Sequence, residues 1–150
     1  MFWIRCLMWG MVLGVAGGQS LRAEGAVHLI FPTANRGLVE GRPEEFYQPT
    51  ISKRAISGMY GFVRSSEPEP ARYFDLFHEG IDIRPLQRDA KGEPLDQVVA
   101  MASGQVVYVN KVASKSNYGR YVVLRHGFGK WEMYSTYGHL ASVAVSEGRC

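Results

Sequence analysis

Apolar and polar positions alternate most clearly in the second half of the chain. Residues 97–101, 104–112, 119–126 and 131–137 are runs rich in Val and Tyr with partial alternation, the pattern of half-buried strands. Ser103-Gly104, residues 114–117 and residues 127–130 punctuate them as turns. Spacings near ten residues predict antiparallel strands joined by hairpins, because parallel neighbours need long crossovers. No window in this half has a helical period, and there is no internal repeat. The expectation is a small, mostly antiparallel β domain.

The first half is less regular. Residues 26–31 (AVHLIF) predict a strand, followed by a turn-rich arm with Pro32, Asn35-Arg36-Gly37 and Gly41-Arg42-Pro43. A short helical turn around residues 43–47 suits a proline at a first helical position. The alternating prolines of 65–70 (SSEPEP) predict a solvated loop. Residues 1–23 read as a secretory leader outside the fold. Arg5 is the positive n-region, residues 6–16 are an uncharged apolar run, and small and polar residues follow. That run is short for a bilayer span.

Composition narrows the class. The 150 residues are 46% apolar and 21% charged, which excludes wholesale disorder. A scattered net charge of +3 argues against nucleic-acid binding. Without residues 1–23, which hold Arg5 and Arg22, 15 of the 17 basic residues face all 14 acidic ones, a net +1. Only Cys150 of the two cysteines then remains, so no internal disulfide is expected.

Candidate chemistry centres on Phe77-His78-Glu79-Gly80-Ile81-Asp82-Ile83. On a straight strand His78 and Asp82 would lie about 13 Å apart, too far to share a metal whose ligands sit about 2 Å from it. A bend at Glu79-Gly80 would lead His78 back over the start of the next strand, and an imidazole with a carboxylate is a reasonable zinc pair. A surface ion pair is the plain alternative. His139 follows a glycine at a strand end, where functional groups are commonly presented. His126 is better suited to a structural hydrogen bond across its turn, Glu79 reads as a solvent-facing turn residue, and His28 has no sequence partner.

Four further stretches complete a pattern: residues 57–64 (SGMYGFVR), 99–107 (VAMASGQVV), 117–127 (NYGRYVVLRHG) and 134–140 (YSTYGHL). Together with the His78 segment, and in this order, they resemble the lysostaphin-like zinc metalloendopeptidases over roughly residues 57–148. The resemblance implies a twisted antiparallel sheet with a groove across it, His78 and Asp82 as zinc ligands, and His139 as a catalytic histidine. It also implies a peptidoglycan peptide substrate and export to the periplasm, cell envelope or exterior, with no stable membrane anchor after leader removal. The organisation expected is a leader over 1–23, an arm over 24–56 and the peptidase domain over 57–150.

The family's third zinc ligand and second catalytic histidine form an H-x-H pair beyond the Y-G-H-L turn. This sequence has no histidine after His139. The expectation is therefore a C-terminally incomplete domain, inactive by itself, with Cys150 an arbitrary stopping point. The rival is a non-catalytic envelope module of the same shape that binds peptidoglycan or activates another wall hydrolase. A carrier domain ranks below both, because no lysine stands next to Ser103-Gly104.

Overall fold

Three of the Val- and Tyr-rich runs become neighbouring strands of one sheet. The computed structural model describes residues 2–7, 28–50, 54–65 and 75–148. In chain order the elements are β1 (Phe2–Leu7), a single helical turn α1 (Pro43–Phe46), β2 (Val63–Ser65), β3 (Asp75–Phe77), β4 (Ile81–Ile83), β5 (Gln105–Asn110), β6 (Tyr121–Phe128) and β7 (Trp131–Gly138). Single 3-10 turns lie at Ala55–Gly58 and Ala113–Lys115. The main sheet has the order β4-β1-β7-β6-β5, and β2 pairs with β3 beside it. All the pairings are antiparallel, as the short connections of β5 to β6 and β6 to β7 require for those strands.

The alternation decides the two faces of the sheet. Val122 and Leu124 of β6 lie against Tyr137 of β7 and Val106 of β5, and this cluster is buried. The 98–100 segment and Leu140, Val143 and Val145 cover it. Each fully buried aliphatic side chain contributes about 1.5–3 kcal/mol, so this face holds the sheet together. A second cluster joins Phe46, Tyr47 and Ile83. It is anchored by Asn35, whose side-chain amide donates to the Glu45 and Arg84 carbonyls at 3.0 and 2.9 Å. The arm is therefore a brace for β4.

Two expected strands do not form as such. Residues 97–101 and 28–31 are extended without strand pairing. Among the described residues, the 97–101 segment meets residues 28–32 through two backbone bonds, Ile30 N–H to the Met101 carbonyl and Val99 N–H to the Pro32 carbonyl, both 2.9 Å. Pro32 lacks an N–H and interrupts any longer ladder there. Residues 26–27, the 66–70 part of the proline loop and Cys150 lie outside the described residues.

The lane between β4 and β7 holds the largest departure from the expected organisation. Residues 1–23 read as lying outside the fold, yet Phe2–Leu7 forms β1 and pairs with both neighbours. Their ladder groups would otherwise face each other across an open lane, and an edge left unpaired is a liability. FWIRCL, rich in aromatic and β-branched residues, suits that position. The rest of the apolar run, from residue 8, lies outside the described residues.

Behind the sheet, a hydrogen-bond chain ties β6 and β7 to the 101–104 turn. Tyr137 Oη accepts from Met101 N–H at 2.8 Å and lies 3.1 Å from Ser135 Oγ. Ser135 Oγ is 2.7 Å from His126 Nε2, and His126 Nδ1 is 2.9 Å from the Ser103 carbonyl. A carbonyl only accepts, so Nδ1 carries the imidazole hydrogen and Nε2 accepts from Ser135. Counting protons along the chain, Tyr137 then donates to Ser135. His126 is thus a structural residue, bonded across the turn.

Ser135→Ala leaves the buried Nε2 of His126 without its donor, and stability should fall by about 1–3 kcal/mol in chemical denaturation. Deleting residues 2–7 should expose the Ile81 and Ile83 amides, which face β1, to rapid hydrogen exchange. The Arg84 amide, bonded to the Phe46 carbonyl at 2.8 Å, should stay protected. Unchanged protection of Ile81 and Ile83 would show that β1 does not hold β4.

Candidate metal centre and its surroundings

His78 lies where one hairpin hands over to the next strand. Its backbone continues the β2–β3 pairing, His78 N–H donating to the Phe62 carbonyl and Gly61 N–H to the His78 carbonyl, both at 2.9 Å. The chain then bends at Gly80 and enters β4. Gly80 is buried, and its φ lies outside the left-handed region. The bend brings together the two side chains that a straight strand would separate: His78 Nε2 is 3.4 Å from Asp82 Oδ1. Both residues are buried, Asp82 with 0% of its surface exposed.

Their surroundings fix the orientation of each. His78 Nδ1 is 2.7 Å from the Met59 carbonyl and must donate to it, so Nε2 is the face turned to the carboxylate. This arrangement, one ring nitrogen held by a carbonyl while the other faces a charged site, is how metal-ligating histidines are oriented. Asp82 is held through its backbone. Its carbonyl accepts from Gln48 N–H at 2.8 Å, and its other flank pairs with residue 3 of β1. Gly58 packs directly on it. A Cβ added at Gly58 would lie 2.6 Å from the Gln48 carbonyl and 3.3 Å from Asp82 Cβ, so only glycine fits there.

The donor pair fits part of a zinc shell. Two donors about 2 Å from a tetrahedral ion are roughly 3.3 Å apart, close to the observed separation, whereas a charge-assisted N–H···O bond is usually about 2.7–2.9 Å. Among the described residues there is no group of three or more His, Cys, Asp and Glu placed to hold a metal. The His78–Asp82 pair thus has the spacing of two neighbouring zinc donors.

His139 directly follows β7 with a φ of 54°, the one positive value among described non-glycine residues. Such a conformation is costly outside glycine and marks a position worth functional attention. Its N–H donates to the Tyr118 carbonyl at 2.8 Å, and its Nδ1 would lie 3.6 Å from a Cβ added at Gly119. Tyr118 also reaches the other side of the site, its hydroxyl lying 3.4 Å from Glu79 Oε2. Glu79 is thus an exposed turn residue with a specific neighbour, and Tyr118 links the His78 bend to the His139 turn. Neither Tyr118 nor Met59 could be singled out by motif, because one acts through a loop contact and the other through a backbone carbonyl.

Register puts these parts on one face. Asp82 pairs with residue 3, which pairs with Gly138, and directly paired residues share a face. Tyr137, one residue away, points to the opposite, buried side. An apolar cavity of about 470 Å³ on that side, lined by Val98, Val106, Leu124, Leu140 and Val143 among others, is therefore separated from Asp82 by the sheet. Of the remaining histidines, His28 is exposed in the arm.

Residues 76–150 match the model of Peptidase family M23. That match spans half of the chain and includes His78, Asp82 and His139, and the chain belongs to this family. Its mostly-β architecture with a small antiparallel sheet agrees with the expected fold. No curated protein and no solved structure matches the chain. No helix among the described residues is long and apolar enough to cross a membrane.

Gly58→Ala should displace the Asp82 backbone and cost about 1–3 kcal/mol by overpacking. The check is a shifted Asp82 amide resonance together with a lowered denaturation midpoint; an unshifted resonance would mean that Gly58 does not position Asp82.

Proposed function

We propose that this chain is the front part of a zinc-dependent endopeptidase that cuts peptide cross-links or bridges of bacterial peptidoglycan. The observation that carries the reading is the 3.4 Å approach of His78 Nε2 to Asp82 Oδ1, with the imidazole oriented by the Met59 carbonyl. His78 and Asp82 would hold the ion, the carboxylate offsetting part of its charge. Zinc in such a place polarises a scissile carbonyl and lowers the pKa of a water molecule. His139 moves a proton to or from the reacting groups, a task suited to imidazole near neutral pH. An H-x-H pair outside these 150 residues completes the ligand set, so the present chain binds zinc weakly and is inactive alone. Residues 1–23 direct export; where that leader is cut off β1 leaves with it, and β4 keeps its hold through the Gln48 N–H and Gly58.

A second reading has one observation in its favour, the absence of a three-donor group among the described residues. Here the chain is a non-catalytic module that binds peptidoglycan or activates another wall hydrolase. An H-x-H pair in the coding sequence beyond residue 150 decides for the peptidase, and its absence decides for the module.

In a chain carrying that pair, His78→Ala and His139→Ala should each lower peptidoglycan cleavage by about 100- to 10,000-fold. Only His78→Ala should also lose zinc, as read by metal analysis of the purified protein. Full activity in either variant refutes its role. Tight equimolar zinc with peptidase activity in residues 24–150 alone would refute the incomplete-site reading.

A further inference from the structure

Three tyrosines form a continuous strip on the same face of the sheet as Asp82. The register that pairs Val122 with Tyr137 sets Tyr121 level with Gly138, and hence in one cross-strand row with Asp82. Three strand spacings separate them, about 14 Å. Tyr108 pairs with Val123 and so shares the face of Tyr121. The Tyr108 and Tyr121 rings have centroids 5.4 Å apart and planes inclined by 32°. Tyr118 meets Tyr121 edge to face at 5.7 Å. Tyr118 is the same residue that contacts Glu79 and carries the His139 turn, so the strip runs without a break into the candidate centre.

Its chemistry is distinctive. Tyr108 is 47% exposed, while Tyr118 and Tyr121 are half-buried, so the strip presents aromatic surface from a rigid base. Burial and the neighbouring Tyr108 hydroxyl push the Tyr121 phenol above its ordinary pKa. Aromatic faces are electron-rich and attract positively polarised C–H groups, while phenol hydroxyls donate and accept hydrogen bonds. Ring faces and hydroxyls together match an uncharged polyol. On its outer side Tyr108 lines a depression together with Lys111, Lys115 and Glu147.

We propose that the Tyr108–Tyr121–Tyr118 strip is a saccharide subsite that binds the glycan strand of the wall polymer beside the peptide-cleaving centre. The proposal rests on the reading of peptidoglycan as substrate and adds which part of that polymer this face holds. Sugar rings stack on Tyr108 and Tyr121, and Tyr118 marks the end at which the peptide branches toward Glu79 and His139.

The test is binding by the full chain, with no metal and no cleavable bond. The probes are a β-1,4-linked tetrasaccharide of N-acetylglucosamine and a sugar-free acidic pentapeptide ending in D-Ala, titrated by calorimetry and by tyrosine fluorescence. The tetrasaccharide should bind and perturb tyrosine emission. Tyr108→Ala should weaken it about tenfold, the scale of a lost aromatic contact. Tyr108→Phe, which keeps the ring, should stay within about twofold of the parent. Peptide affinity should be the same in all three proteins. His78→Ala should bind the sugar as the parent does, so a failed peptidase reading and a failed glycan reading give different results. Absence of tetrasaccharide binding, equal sugar affinity in Tyr108→Ala, or a loss of peptide affinity in that variant overturns the proposal.

Discussion

Asp82 is fixed through its main chain, and the candidate centre depends on that. β4 is three residues long, too short to hold a buried carboxylate by its own pairing. It is gripped on one side by β1 and on the other by the Gln48 N–H to Asp82 carbonyl bond. Gly58 presses on it from a third direction. With the backbone immobilised in this way, the carboxylate has little freedom to leave the imidazole opposite. Burying such a group is unfavourable without a compensating charge, and the rigid backbone is what keeps that cost from being relieved by rotation toward solvent.

The same logic runs outward from the centre. His78 is oriented by a carbonyl in the 3-10 turn region at Met59, and His139 is held at an uncommon φ by the Tyr118 carbonyl. The His78 ring and the His139 main chain are thus each held by a backbone acceptor in a loop, and Tyr118 couples the two loops. The opposite face does different work. There Tyr137, Ser135 and His126 use their polar atoms on one another and on the 101–104 turn, and the aliphatic cluster supplies the packing. One sheet therefore separates a structural histidine from two functional candidates.

Much of this was legible in the sequence where the signal is local. The β5–β6–β7 meander follows from alternating Val and Tyr between turn residues. The helical turn at Pro43–Phe46 follows from a proline at its first position. The reversal that brings His78 over Asp82 follows from simple reach, since extended backbone cannot close four residues to one contact. Residues 97–101 show the limit of the same rule: the alternation is present, but the partner segment carries Pro32 and offers only isolated bonds. The Tyr108–Tyr121–Tyr118 strip was not legible, because its members come from a strand, a neighbouring strand and a loop.

The sequence by itself determined the chemistry available: two histidines and an aspartate in an order that matches a peptidase family, on a chain patterned for antiparallel strands. Those are properties of residue type and short spacing, which local sterics and periodicity express directly. Only the tertiary structure decided that Phe2–Leu7 fills the lane between β4 and β7, that Tyr118 joins Glu79 to His139, and that Asp82 and three tyrosines share one face. Each of these depends on which strands become neighbours and in what register. A shift of one residue in that register would turn Asp82 or Tyr121 to the opposite side.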